Sequence, residues 1–257
     1  MIEISSDRTK ILLERRGKLL VGYVLAGYPG CEEFFDVLDV INRSSLDIIE
    51  LGFASSDPYS DGQVIADAHR AVDKSICCSL DYWTRIRKAT DKPIWAMAYE
   101  KDFIESGLYL EFSRAGVLDG VVIPDLKESE RVALIPQLNP YGVDVIGFSN
   151  PDMSDSELDD VFSTFPLVYE QLYVGQTGKG SAVEMYHHML EKSLGYPHVV
   201  GLAGFGISTC EQVVRKYKEG FRGVIIGTAI VKHLNESLES LRSYISDIGR
   251  AKEEWQE

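Results

Sequence analysis

Two kinds of hydrophobic pattern alternate along the chain. Short continuous runs of apolar and β-branched residues, typical of strands buried on both faces, recur at 19–26, 48–51, 93–98, 120–123, 144–147, 167–173, 198–203 and 223–226. Between them, apolar residues recur at helical spacing, as at Phe34, Val37, Leu38 and Ile41. Several helical segments run into a glycine, for example Tyr141-Gly142, which is the expected signal of a helix end. The pattern therefore predicts eight strand–helix units.

Eight such units fit the (β/α)8 barrel, whose usual length is about 250 residues, and the chain has 257. We predict a single (β/α)8 TIM barrel domain of parallel strands over residues 1–257, with additional terminal helices. The charged, amphipathic stretch 234–257 predicts one helix packed outside the barrel. The alternative is an open doubly wound sheet, but its G-x-G-x-x-G fingerprint is missing after the first strand, which ends Ala26-Gly27-Tyr28-Pro29-Gly30.

The charge balance narrows the classes of partner. Asp and Glu number 40 against 26 Lys and Arg, which gives a net charge of −14. This excess argues against nucleic acid and against an anionic membrane surface as partners. A small phosphorylated ligand is still allowed, because backbone N–H groups bind phosphate without cationic side chains. The four cysteines form no C-x-x-C pair, and no apolar run approaches the ~18 residues of a membrane span. We therefore expect a cytoplasmic protein.

The loop after the second strand carries the most informative chemistry, because barrel active sites lie in the loops that follow the strands. Glu50 stands at the end of an apolar strand, where burial should raise its pKa into the range useful for proton transfer. Asp57, Pro58 and Asp61 follow on a loop of small residues that could close over a substrate. The structural alternatives are a salt bridge inside the barrel for Glu50 and turn or capping roles for Asp57 and Asp61.

Three later loops are rich in glycine and predict a phosphate site. The segment 174–181 is not a P-loop, because that motif requires Gly where Tyr173 stands and Ser or Thr where Gly180 stands. The loop 204–208 and the turn 227–229 follow the last two strands, where barrels often bind phosphate beside a helix N-terminus. Gly206 would let the backbone approach an anion, and Thr228 would add a hydroxyl.

Other chemistries find less support in the sequence. The five histidines show no ligand spacing, so we interpret them, His69 included, as surface or packing residues and expect no metal site. A Schiff-base aldolase needs a lysine at the carboxyl end of a strand. Lys18 and Lys92 instead precede their strands.

The segment 47–62, with Glu50-Leu51-Gly52 and Ser56-Asp57-Pro58 followed by Asp61-Gly62, resembles the signature of the tryptophan synthase alpha chain family. The resemblance continues in order through 26–30, Tyr99, 123–125, Tyr169 with 175–178, 204–208 and 227–231. It implies one barrel that cleaves indole-3-glycerol phosphate to indole and glyceraldehyde 3-phosphate. It also implies no cofactor of its own and a partner beta chain in an alpha2-beta2 heterotetramer.

The resemblance also implies roles for individual residues. Glu50, Asp61 and Tyr169 would be catalytic, with Glu50 exchanging protons and Asp61 holding the indole N–H. The substrate would contact Tyr23, Tyr99 and Thr177, and its phosphate would contact Gly178, Gly206, Gly227 and Thr228. Asp57 and Pro58 would belong to the lid that meets the partner.

This sequence also departs from the family pattern in the loops after the first four strands. Ala54 replaces a usual Pro, Tyr28 a usual Asp and Lys127 a usual Pro, and Glu100-Lys101 replaces small or amide residues. Two alternatives to a coupled alpha chain therefore stay open. One is a stand-alone lyase, or another lyase or isomerase of a phosphorylated sugar. The other is a non-catalytic regulatory paralogue.

Overall fold

The computed structural model describes residues 3–15, 17–173 and 186–256. The strands in chain order, β1 to β9, are Leu19–Leu25, Ile48–Gly52, Ile94–Met97, Gly120–Val122, Asp144–Val145, Gly147–Ser149, Leu167–Gln171, Val200–Gly204 and Gly223–Ile226. The helices α1 to α12 are Asp7–Arg15, Phe34–Asn42, Gln63–Ala71, Lys74–Cys77, Leu80–Ala89, Leu108–Arg114, Glu128–Leu138, Asp155–Thr164, His187–Leu194, Cys210–Glu219, Thr228–Glu236 and Leu238–Gln256. A π-helix at Glu100–Ile104 and a 3-10 turn at Asn139–Tyr141 complete the described elements.

All the strand pairs are parallel, and they form a ring. The order is β5-β4-β3-β2-β1-β9-β8-β7-β6, with β1 paired to both β2 and β9. The ring is completed by one stretch of chain: β5 pairs with β4, and β6, one residue further on, pairs with β7. The predicted barrel of parallel strands with added terminal helices is therefore confirmed.

The alternation of side chains along each strand separates two cores. In β1, Leu20 and Val24 point outward and pack against the helices, whereas Leu19 and Val21 point inward and fill the barrel floor. The same alternation turns Tyr23 inward. The catalytic candidates on other strands follow this rule, so strand periodicity fixes which of them reach the barrel interior.

Two details of the predicted elements are wrong. The fifth strand, predicted over 144–147, extends to Ser149 and is interrupted at Ile146, because its two halves pair with different neighbours. The single terminal helix predicted over 234–257 is two helices, since Leu234 belongs to α11 and the backbone is extended at Ser237 before α12 begins. Among the described residues, no helix is both long and apolar enough to cross a membrane.

Candidate active site

A cavity of about 250 Å3 opens at the carboxyl ends of the strands. It collects most of the residues that sequence reasoning singled out: Tyr23, Glu50, Asp61, Tyr169, Gly206, Gly227 and Thr228. Thr177 and Gly178 fall within 174–185, outside the described residues. The cavity therefore brings together side chains that lie up to about two hundred residues apart in the chain.

Glu50 lies within β2 and faces this cavity. Its neighbours Ile49 and Leu51 point outward into the helix layer, so the alternation of the strand directs the carboxyl group inward. Burial, reinforced by the negative charge of Asp61, raises the pKa of Glu50 to about 8. At neutral pH most of this carboxyl is protonated, and it can donate a proton.

Asp61 lies at the end of the loop that follows β2, just before α3. Burial raises its pKa to about 6, and a hydrogen bond from the Tyr99 hydroxyl opposes that rise. The Tyr99 hydroxyl donates to Oδ2 of Asp61 over 2.9 Å. At neutral pH Asp61 is therefore mainly ionised, beside a protonated Glu50, and Tyr99 lies behind Asp61.

One wall of the cavity is aromatic. Tyr169 on β7 stacks on Phe148 with ring centroids 5.1 Å apart and meets Phe205 edge to face at 5.9 Å. Gly204 leaves room for this arrangement, because a Cβ there would lie 2.1 Å from the Tyr169 ring. Sequence reasoning missed Phe148 and Phe205, whose aromatic character alone does not distinguish a cavity wall from ordinary core.

Another part of the cavity suits an anion. Gly206 has a φ of +81°, a backbone conformation that L side chains rarely adopt. Helix α11 begins at Thr228, so its N-terminal N–H groups and the positive end of its dipole lie beside the cavity. Lys232, one turn further along α11, also lines the cavity and was not predicted. These groups together could bind a phosphate.

The loop between β2 and α3 lies next to the cavity. Asp57 is exposed, and its backbone N–H donates to Ser55 Oγ over 3.0 Å. Pro58 is half-buried. The ring of Tyr59 packs at 5.0 Å from the Tyr99 ring, and its hydroxyl is hydrogen-bonded to Asp125. The predicted lid segment is thus tied to the elements that follow β3 and β4.

The interpretation of His69 as a surface or packing residue is incomplete. The side chain is buried on α3, with Nε2 3.6 Å from Asp61 Oδ2 and 3.4 Å from the Tyr23 hydroxyl. No local motif marks it, because its neighbours come from β1 and from the preceding loop. In the described part of the chain, no group of three or more His, Cys, Asp or Glu side chains could hold a metal ion.

The departures from the family pattern lie in one sector of the barrel mouth. Tyr28, after β1, donates its hydroxyl to Asn235 Oδ1 over 2.5 Å. Ala54, after β2, accepts from Cys78 Sγ through its carbonyl at 3.4 Å. Glu100, after β3, donates its backbone N–H to Asp125, and Lys127 directly precedes α7. Ala54 lies in the lid loop itself and the others follow β1, β3 and β4, whereas Glu50 and Asp61 keep the family pattern.

The chain is similar to known tryptophan synthase proteins in both sequence and fold. The tryptophan synthase alpha chain of Citrifermentans bemidjiense is 32% identical over 257 residues, covering 94% of each chain. That of Alkaliphilus metalliredigens is 30% identical over 249 residues, covering 95% of this chain and 93% of the relative. A structure of Mycobacterium tuberculosis tryptophan synthase shares the fold, with a TM-score of 0.83 at 22% identity over 96% of this chain and 98% of that one. The sequence model described as "Tryptophan synthase alpha chain" matches residues 10–257, and the chain therefore belongs to the tryptophan synthase alpha chain family.

Proposed function

We propose that the chain cleaves indole-3-glycerol phosphate to indole and glyceraldehyde 3-phosphate by a retro-aldol reaction that needs no cofactor or metal. The observation that carries the proposal is one cavity lined by two carboxyl groups of different pKa, about 8 for Glu50 and about 6 for Asp61. When the surroundings separate the pKa values of two carboxyl groups, the group with the higher pKa serves as the acid and the other remains an anion. The two side chains therefore have different roles in the same reaction.

Glu50 is the proton donor and then the proton acceptor. Its protonated carboxyl delivers a proton to C3 of the indole, which makes the bond between C3 and the glycerol chain breakable. The resulting carboxylate accepts the proton of the glycerol hydroxyl as that carbon becomes the aldehyde and the bonding electrons return to the indole ring. One group with a pKa near neutrality performs both steps.

Asp61 stabilises the charge that develops on the indole. Protonation at C3 places positive charge at N1, and an ionised carboxylate at that position offsets it. The hydrogen bond from Tyr99 fixes Oδ2 of Asp61, so Oδ1 is the oxygen for the indole N–H. Tyr169, Phe148 and the other apolar side chains of the wall suit the flat face of the indole.

The phosphate of the substrate binds in the part of the cavity beside the N-terminus of α11. Gly206, Gly227, Thr228 and the first N–H groups of α11 provide backbone and hydroxyl donors. Lys232 adds a cation from the same helix. We assign Gly178 and Thr177 to the same substrate from the family pattern alone.

The partner is a tryptophan synthase beta chain, with which the chain forms an alpha2-beta2 heterotetramer. Support comes from the family and from Asp57 and Pro58, which keep the family pattern in the loop after β2. Altered residues in the loops after the first four strands would tune the contact, namely Tyr28, Ala54, Glu100, Lys101 and Lys127.

The test is the release of glyceraldehyde 3-phosphate from indole-3-glycerol phosphate, measured with and without a beta chain. We expect slow release by the chain alone and strong acceleration by the beta chain. Fast release that does not change when the beta chain is added would contradict the proposal that the beta chain is the partner. No release in either arm would contradict the lyase reaction, provided that the chain is folded.

A further inference from the structure

We propose that His69 is a positioning residue, which holds Asp61 in its reactive orientation and fastens both ends of the loop between β2 and α3. This inference rests on the proposed function and adds a residue that the family signature does not mark.

The position of the proton follows from one hydrogen bond. The backbone N–H of Ser55 donates to Nδ1 of His69 over 2.9 Å. A nitrogen that accepts a hydrogen bond carries no proton, so the single proton of the neutral ring is on Nε2. The ring is also held neutral, because burial, followed by the positive charge of Lys74, lowers the pKa of His69 to about 4.

The Nε2–H group lies close to both the Tyr23 hydroxyl and the carboxylate of Asp61. Nε2 lies 3.6 Å from Asp61 Oδ2 and 3.4 Å from the Tyr23 hydroxyl. The Tyr99 hydroxyl donates to the same Oδ2 at 2.9 Å, so Tyr99 and His69 both lie on the Oδ2 side of the carboxylate and leave Oδ1 for the substrate. The 3.6 Å separation is longer than a full hydrogen bond, and such contacts commonly shorten when substrate binds.

His69 also connects the two ends of the loop between β2 and α3. Ser55 begins the polar part of the loop and Asp61 ends it, and one imidazole from the last turn of α3 contacts both. Because α3 follows the loop directly, the ring links the two ends of the loop through a single side chain. The loop is therefore anchored at both ends by His69, and Asp61 lies at one of them.

Two amide substitutions separate these contacts. In His69→Gln the amide nitrogen occupies about the place of Nε2 and still donates towards Asp61. In His69→Asn the amide oxygen occupies about the place of Nδ1 and still accepts from Ser55. We expect the Gln variant to keep kcat within about 3-fold and to raise KM, and the Asn variant to lose about 10- to 100-fold in kcat.

The pH profile gives a readout that simple packing would not move. Loss of the Nε2 donor in His69→Asn should raise the pKa of Asp61 and shift the acid limb of kcat/KM to higher pH, whereas His69→Gln should leave that limb in place. Each rate is divided by the folded fraction from circular dichroism, so a loss of stability alone changes neither limb. An Asn variant with the wild-type kcat and the wild-type acid limb would overturn the proposal.

Nitrogen NMR of the histidine rings tests the same geometry without activity. His69 should show the neutral Nε2–H tautomer throughout pH ~5.5 to ~8. An Nδ1–H tautomer or an imidazolium in that range would overturn the proposal. Absence of cleavage by the wild-type chain would overturn the proposed function itself, whereas cleavage by the wild type with an unaffected Asn variant would overturn only the role of His69.

Discussion

Two buried glutamates lie on the strands of this barrel, and burial raises the pKa of both, although their surroundings differ. Glu50 is 4% exposed and Glu170 is fully buried. Burial raises the pKa of each to about 8. Glu50 faces the cavity at the barrel mouth. Glu170 follows the inward-facing Tyr169 on β7 and points outward, where Oε1 accepts a hydrogen bond of 2.7 Å from Ser193 on α9.

The difference shows that a perturbed pKa does not by itself identify a catalytic acid. Desolvation acts equally on a carboxyl in a packed layer and on one at the edge of a cavity. What distinguishes Glu50 is a space for a reacting atom, together with a second carboxylate and an anion site in the same cavity. For Glu170, no partner of Oε2 lies among the described residues, and the side chain does not line the cavity at the barrel mouth.

The largest effect is expected from Glu50→Gln. The amide keeps the shape of the side chain but can neither donate a proton to carbon nor accept one, so kcat should fall by about 10³-fold or more. The measurement is single-turnover release of glyceraldehyde 3-phosphate. Glu170→Gln is the matched control, with the same substitution at a buried strand position outside the cavity. Equal rates for the two variants would contradict the assignment of the catalytic role to Glu50 and not to Glu170.

Asp61→Asn should have the next largest effect. The amide cannot offset the positive charge that develops at N1 of the indole, so kcat should fall by about 10²-fold. Asp144→Asn is a matched control, because burial also raises the pKa of Asp144 to about 6, yet that carboxylate accepts hydrogen bonds from Ser5 and Ser6. A wild-type rate for Asp61→Asn would remove Asp61 from the mechanism.

The pH dependence of the wild type follows from the same pair. Asp61 must be ionised and Glu50 protonated, so kcat/KM should rise through pH about 6 and fall through pH about 8. The two apparent values belong to the coupled pair. Activity that keeps rising well above pH 8 would contradict a protonated Glu50 as the acid.

Tyr99→Phe should have a smaller effect, about 10-fold or less at pH 7. The Tyr99 hydroxyl lowers the pKa of Asp61, so its removal should move the acid limb of kcat/KM to higher pH. Tyr109→Phe is a suitable control, since that hydroxyl donates to Gln137 at 2.7 Å on the outer helices. An unmoved acid limb in Tyr99→Phe would show that the hydrogen bond does not hold Asp61.

Sequence reasoning predicted what depends on local pattern. Strand and helix periodicity is local, so it gave the barrel, and the apolar run before Glu50 was enough to predict a raised pKa. The position of Tyr99 behind Asp61, the contacts of His69 and the aromatic wall at Phe148 depend on which distant segments meet. The division of the fifth strand is also non-local, because its halves pair with β4 and β7.

The smallest effect on activity is expected from Glu170→Gln, which should leave kcat unchanged and alter stability instead. The native pKa is raised from about 4.5 to about 8, so between these values the folded state binds more protons than the unfolded state. Stability is therefore fully present below pH about 4.5 and falls as the pH rises towards 8, by about 4 kcal/mol for this group. The free energy of unfolding of Glu170→Gln, measured with urea, should match that of the wild type near pH 5 and exceed it by a few kcal/mol at pH 8.

Because Glu50→Gln should show a similar gain for the same reason, the two variants should agree in their pH-dependent stability and differ in activity. A Glu170→Gln variant with no gain at pH 8 would mean that Glu170 is ionised in the folded chain. The pKa of Glu170 would then not be raised as that of Glu50 is.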